Sequence, residues 1–372
     1  MLESLMNVQQ CLLVGVMMGV SVAASAKEWN TLTGEPPLVI AHRGASGYMP
    51  DHTLAGYTKA VELGADFIEP DLVSTKDGVL IARHEPNLKD TTDIATRPEF
   101  AMYERVEKVD GRDEKGWFAS DLTLAQIKTL RAKQPRADRN AAFDGQFEIP
   151  TFEEVLQLRE KLSKQYKRAI GVYPETKHPA WHSEKGLEFE AGLVALLGKY
   201  NLNRADAPVF IQSFELTNLK ALKAMTDVKK VYLIDGDDVA ADGSVVTIRP
   251  YDFVKQGDVR TYADMLSDAN LKEIAQVAQG IGPWKVYIAS YKTEFGKTTR
   301  LPANNFIARA HAAGLAVHPF TFRNESKHLT SGDMGEPYNE YALYFQLGVD
   351  GVFSDYTDTA VAARARFAKD KK

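Results

Sequence analysis

Residues 37–84 read PLVIAHRGASGYMPDHTLAGYTKAVELGADFIEPDLVSTKDGVLIARH. The apolar run at 37–42 is short and closes on a polar pair, the pattern of a buried strand. The stretch 53–64 spaces its apolar residues at helical intervals and ends on Gly64. Two more strands follow, 66–74 and 78–84, joined by the turn Lys76-Asp77-Gly78. Outward from this segment the rhythm persists. Strands are expected at 169–175, 208–214, 230–234, 314–322 and 351–355, separated by helices at 186–200, 215–226, 268–280, 302–313 and 338–347. Alternation of buried strands with helices specifies a parallel sheet wrapped by helices. A doubly wound open sheet is the competitor, but no glycine-rich phosphate loop follows the first strand and the strand count approaches eight. The expected fold is therefore α/β, a (β/α)8 TIM barrel.

The rhythm fails between residues 85 and 150, a charge-rich stretch whose one good helix is 122–130, capped by Asp121 or Thr123. A long irregular excursion in a compact domain is usually functional, so this insertion after the second strand region reads as a lid or substrate-facing arm. A smaller excursion spans 236–262. Neither has the look of an independent core, and residues 27–372 are expected to form one domain.

Residues 10–26 carry no charge and end in Ala-Ser-Ala, the pattern of a secretory signal peptide cleaved after Ala26. The preceding segment holds Glu3 and no basic residue, which fits a true start at Met6. The apolar run is short for a membrane span, so no stable membrane anchor is expected. The single cysteine, Cys11, falls inside it, which leaves a mature chain without disulfides, thiolate metal sites or cysteine catalysis. Export points to the periplasm. A net charge of −5 with well-mixed signs gives no footprint for nucleic acid. Oligomeric state is not encoded legibly, and a homodimer stays open.

In a barrel the reactive groups stand where strands end. Here the strand ends are polar: His42-Arg43 after the first, Glu69 and Asp71 on one face of the second, His84 after 78–84, and Glu175 with Lys177 after 169–175. Side-by-side buried carboxylates repel without a counter-ion. Three of them make a hard oxygen site for Ca²⁺ or Mg²⁺, or pair with Arg and Lys in a structural network. Two histidines beside such a site suit phosphodiester cleavage, which needs a base for the nucleophile and an acid for the departing alkoxide. His311 and His318 read as packed and satisfied. His178 and His182 are four apart, but Pro179 argues against a helical metal pair.

Residues 41–88, with YPETK at 173–177, FIQSF at 210–214, VHPFTFR at 317–323 and GVFSDYTD at 351–358, resemble the glycerophosphodiester phosphodiesterases, particularly their periplasmic bacterial branch. The resemblance spans nearly the whole mature chain. It implies metal-dependent hydrolysis of a small glycerophosphodiester to sn-glycerol 3-phosphate and an alcohol. His42 is implied as base and His84 as acid, with Glu69, Asp71 and Glu175 as metal ligands and Arg43 binding phosphate near Lys177. Phe214 and Phe320 are expected to shape the glycerol side of the pocket. The released alcohol would face solvent and the 85–150 insertion, and broad head-group tolerance follows. Calcium is the expected ion, with magnesium the alternative. His52 stands where many relatives carry Asn. Two other readings remain: a phospholipase C- or D-like enzyme on lysolipids, with Phe118, Trp181 and Trp284 at the rim, and a non-catalytic periplasmic binding or surface protein.

Overall fold

The structure, a computed structural model, describes residues 29–370. The expected signal peptide lies outside the described residues. Eight parallel strands close on themselves: β1 (Leu38–His42), β2 (Phe67–Glu69 and Asp71–Ser74), β3 (Gly171–Val172 and Glu175–Thr176), β4 (Phe210–Ser213), β5 (Lys229–Ile234), β6 (Gly280–Pro283), β7 (Ala316–Val317) and β8 (Gly351–Ser354). β1 pairs with β8 and β2, Asp350 N donates to the Val317 carbonyl of β7, and Phe322 beyond β7 bridges Ser354 of β8, so the barrel closes. The longer helices between strands are α1 (Leu54–Glu62), α2 (Phe152–Tyr166), α3 (Glu190–Lys199), α4 (Leu216–Lys223), α5 (Asp268–Ala275), α6 (Phe306–Ala312) and α7 (Pro337–Leu347), and α8 (Thr357–Asp370) follows β8. This is the (β/α)8 barrel.

The expected count of eight strands was right for a wrong reason. Leu80–Ala82, within the stretch read as strand 78–84, pairs antiparallel with β2 as a hairpin and takes no place among the parallel strands. The eighth barrel strand is instead β6, part of which had been read as the end of helix 268–280. Its sequence Gly-Ile-Gly-Pro lacks the β-branched run that marks a strand. The glycines are there because the barrel wall is tight. A Cβ on Gly282 would stand 2.6 Å from Leu233 Cδ2, and one on Gly280 would stand 3.1 Å from the Ala316 carbonyl oxygen. Helices α2 and α8 were also missed. The first carries its own signal, a capping box in which the Thr151 hydroxyl accepts from Glu154 N and the Glu154 carboxylate accepts from Thr151 N.

Pro70 interrupts β2 where its ladder passes from β1 to the Leu80–Ala82 hairpin strand, and Pro174 interrupts β3, which pairs with β2 on both sides of it. Proline donates nothing to a ladder, so each leaves a gap between the two halves of its strand. Ile40, Phe67, Tyr173, Val231, Leu233 and Phe353 fill the barrel interior, and a larger apolar layer lies between sheet and helices. The 85–150 insertion packs Leu88, Ile94, Phe100, Leu122 and Ile127 onto Val73 and Ile81 of the β2 hairpin, which ties the arm to the barrel wall.

His318 is one of the satisfied histidines. Its Nδ1 lies 2.8 Å from the Tyr173 hydroxyl, and Phe210 meets its ring edge-on. Burial lowers its pKa from 6.5 to about 4. Because the folded value lies below the unfolded one, the unfolded chain takes the proton first as pH falls. This contribution is complete above about pH 6.5 and is lost on the way down to about pH 4, an effect on the order of 3 kcal/mol. Urea midpoints at pH 7 and pH 4.5 should therefore diverge more for wild type than for His318→Asn. Equal divergence would discard this assignment.

Candidate active site

The strand registers assemble the site. His42 of β1 stands opposite Glu69 of β2, Asp71 of β2 opposite Glu175 of β3, and Glu175 opposite Gln212 of β4. Glu69, Asp71 and Glu175 are buried, and each offers a carboxylate oxygen within 4.8 Å of the others. The Arg43 backbone amide donates to Glu69 Oε2 at 2.7 Å and Gln212 Nε2 to Glu69 Oε1 at 2.8 Å. His52 Nε2 lies 2.9 Å from Asp71 Oδ2 and its Nδ1 lies 2.8 Å from the Tyr57 hydroxyl. Lys177 Nζ makes an ion contact with Glu175 Oε1 at 2.7 Å, outside hydrogen-bond geometry. Arg43 and His52 both adopt left-handed backbone (φ 59° and 56°), a strained conformation that turns the chain sharply over the end of β1.

Part of the ion-pair reading is present, since Arg43 and Lys177 lie against the triad. It does not exhaust the cluster. Burial, then Asp71 and Glu175, push Glu69 well above the ordinary carboxylate range, and burial pushes Glu175 up to about 8 against the pull of Lys177. Burial also works against Asp71, but His52, His84 and Lys177 outweigh it and hold its pKa low. Asp71 Oδ1 is buried with no hydrogen-bond partner, as is Gln212 Oε1. A buried acceptor left without a donor is costly, and carboxylate and amide oxygens are the donor set of a hard divalent cation. The residues fit such an ion.

The two histidines flank the triad. His42 Nδ1 lies 2.6 Å from Asp355 Oδ1, and Asp355 is held far below the usual carboxylate range, against its burial, chiefly by His42 and the arginines around it. A carboxylate only accepts, so Nδ1 carries the proton and Nε2 presents its lone pair. Arg43 Nε donates to that nitrogen at 3.3 Å. His84 Nδ1 pairs with Glu85, and Lys177 Nζ stands 3.2 Å from its Nε2. Burial and then Arg43 lower the pKa to about 4 for His42 and about 3 for His84. His84 lies two residues beyond the hairpin strand, not on it. Phe214 and Phe320 meet edge-to-face at 5.9 Å on the pocket wall, and Lys177 lies 5.1 Å over the Phe214 ring. Phe118 and Trp181, expected at the rim, are buried against each other, whereas Trp284 lines the pocket. His178 pairs with Asp110 and His182 accepts from Ser74 N, so they form no metal pair.

Sequence reasoning passed over Asp355, Arg139 and Gln212. Asp355 Oδ2 accepts from Arg139 Nη2 at 2.6 Å and Arg323 Nε at 3.0 Å. Arg139 comes from the insertion, which no local pattern could place there. Asp355 was visible as the acid just past β8, at the barrel mouth. Asp355→Asn puts an amide among three donors and removes the proton acceptor from His42 Nδ1. It should lower kcat about 10²–10⁴-fold with a smaller change in KM. Steady-state kinetics on a folded variant check this, and a KM effect alone would count against it.

Residues 42–359 match the glycerophosphoryl diester phosphodiesterase family. The Arabidopsis thaliana glycerophosphodiester phosphodiesterase GDPD6 is 39% identical over 334 residues, covering 86% of this chain and 84% of its own. The Haemophilus influenzae glycerophosphodiester phosphodiesterase is 28% identical over 94% of this chain and 95% of its own. Among solved structures, an Oleispira antarctica phosphodiesterase in complex with its product sn-glycerol-3-phosphate superimposes with a TM-score of 0.56 at 20% identity, covering 90% of this chain and 98% of that one. An Agrobacterium tumefaciens glycerophosphodiester phosphodiesterase gives 0.51 at 20% identity, with 88% and 99% covered. A barrel with this carboxylate triad, matched over most of its length, belongs to the glycerophosphodiester phosphodiesterase family of enzymes.

Proposed function

We propose that the protein hydrolyses small glycerophosphodiesters, glycerophosphocholine and glycerophosphoethanolamine among them, to sn-glycerol 3-phosphate and an alcohol. The observation that carries this reading is the placement of three buried carboxylates beside two histidines, each paired through Nδ1 with a carboxylate of its own. His42, oriented by Asp355, takes the proton from the attacking oxygen. That oxygen bonds to phosphorus as the bond from phosphorus to the leaving alkoxide breaks. His84 returns a proton to the alkoxide. Burial, then Arg43 and Lys177, hold His84 neutral in the free protein, and an anionic phosphodiester beside it would offset the two positive charges and let His84 take a proton from solvent before giving it to the alkoxide. Arg43 binds the phosphate, and Phe214 and Phe320 border the glycerol.

A divalent cation held by Glu69, Asp71 and Glu175 would supply positive charge to the non-bridging oxygens. We assign it as Ca²⁺, with Mg²⁺ as the alternative, and place the enzyme in the periplasm after loss of residues 1–26. Charged groups on the pocket walls count against a lysolipid substrate, although Ile248, Trp284 and Val286 line the same pocket. Asp110, Glu114, Asp235 and Arg249 line these walls, and an acyl chain would have to desolvate these groups. Incubation with glycerophosphocholine should release choline and sn-glycerol 3-phosphate in equal amounts. Phosphocholine as product, or faster turnover of lysophosphatidylcholine, would refute the assignment.

A further inference from the structure

Residues 134–139 of the insertion lie across the loop that follows β1. Gln134 Nε2 donates to the carbonyls of Ser46 and Met49 at 3.2 Å each, and Arg139 Nη1 donates to the same Ser46 carbonyl at 3.1 Å. The Ser46 hydroxyl in turn donates to the His42 carbonyl at 2.8 Å. Arg139 is buried and directs its other donors to Asp355 Oδ2 at 2.6 Å and Glu325 Oε1 at 2.7 Å. One guanidinium therefore fixes both the carboxylate that orients the His42 ring and the loop bonded to the His42 backbone. The rigid fork of arginine suits this task, because its donors leave in set directions. Arg323 donates to the same Asp355 oxygen at 3.0 Å. Loss of Arg139 would thus leave Asp355 a counter-ion and remove its tie to the loop.

Three residues earlier, Arg136 Nη1 reaches both oxygens of Asp51 at 3.0 Å. Asp51 is buried, and Arg43 Nη1 also donates to its Oδ2, at a longer 3.3 Å. Against burial, Arg136 and then Arg43 hold the Asp51 carboxyl below its ordinary range, so a full negative charge stands beside Arg43. Arg136 offsets that charge. Without it the attraction of Asp51 falls on Arg43 alone and draws the guanidinium away from a phosphate.

We propose that this segment of the insertion completes the catalytic centre: Arg139 is a positioning residue for His42, and Arg136 keeps Arg43 free to take the phosphate. This rests on the roles given above to His42 and Arg43. With glycerophosphocholine as substrate, Arg139→Ala should lower kcat about 10²-fold, the loss that a displacement of about 1 Å brings, with KM within about 3-fold of wild type. Added guanidinium ion should recover part of that kcat. If Arg139→Ala does not fold, Arg139→Lys carries the test, since an ammonium keeps the charge but cannot span three acceptors, and kcat should still fall about 10-fold. Arg136→Ala should instead raise KM about 10-fold with kcat nearly unchanged, the factor of about one charge-assisted hydrogen bond at the phosphate. Adding Asp51→Asn to Arg136→Ala should bring KM back toward wild type, because the charge that pulls on Arg43 is then gone. Wild-type kcat in Arg139→Lys, no recovery with guanidinium, or a double variant worse than Arg136→Ala would overturn the proposal and leave the segment a structural support. In each of these cases wild-type turnover stands. Its absence would refute the proposed function, and this inference with it.

Discussion

Purified His42→Ala and His84→Ala should each lose at least about 10²–10⁴ in kcat, the usual contribution of one positioned proton-transfer group. Both variants should stay folded, because neither side chain is part of the apolar core. The two losses should differ in kind. His42 accepts from Arg43 and is fixed by Asp355, so its removal also frees a buried carboxylate that Arg139 and Arg323 still neutralise. His84 acts on the leaving group, so a diester with a more acidic alcohol, p-nitrophenol for example, needs its proton less. The His84→Ala deficit should shrink on such a substrate while the His42→Ala deficit persists. Equal deficits on both substrates would reverse or remove the acid assignment. Turnover within a few-fold of wild type in either variant would end the paired-histidine mechanism.

The triad was legible in the sequence because strand periodicity needs no tertiary knowledge. Glu69 and Asp71 are two apart, and the barrel register then sets Glu175 beside Asp71. The same logic failed for β6, where two glycines removed the side chains on which periodicity depends. It failed for Arg139 as well. An arm of irregular structure delivers that guanidinium to Asp355 across more than two hundred residues of sequence, a contact fixed by packing alone. Arg83 shows the limit from the other side. No role was read for it in the sequence, yet it is fully buried and its guanidinium donates to the carbonyls of Asp51, His52 and Thr91. In doing so it pins the insertion to the loop that holds His52 against Asp71. Hydrophobic pattern reports which face is buried, but not which polar groups a buried loop requires.

Chelation with EDTA should abolish turnover, and calcium should restore it more fully than magnesium. The carboxylates converge within 4.8 Å, and Asp71 Oδ1 has no protein donor. Three protein carboxylates and an amide oxygen leave positions for water or substrate, which a loose seven- or eight-coordinate ion accepts more readily than an octahedral one. Among the described residues there is no cysteine, and His52, the histidine hydrogen-bonded to the triad, is already engaged by Tyr57 and Asp71, so zinc has no soft donor set there. The effect should also appear without substrate. An ion that binds only the native state raises the melting temperature, by about 2.7 kcal/mol of stability at a hundredfold excess over Kd. Glu69→Gln and Asp71→Asn should lose both turnover and the calcium-dependent rise in melting temperature. Metal-free Glu69→Gln should melt no lower than metal-free wild type, because burial and the neighbouring carboxylates disfavour the Glu69 charge, whereas metal-free Asp71→Asn should melt lower, because it loses a charge that His52, His84 and Lys177 stabilise. If both variants instead unfold at markedly lower temperature while wild type keeps full activity in EDTA, the carboxylates are the counter-ions of Arg43 and Lys177, and the barrel mouth is held together by charge pairing without a metal.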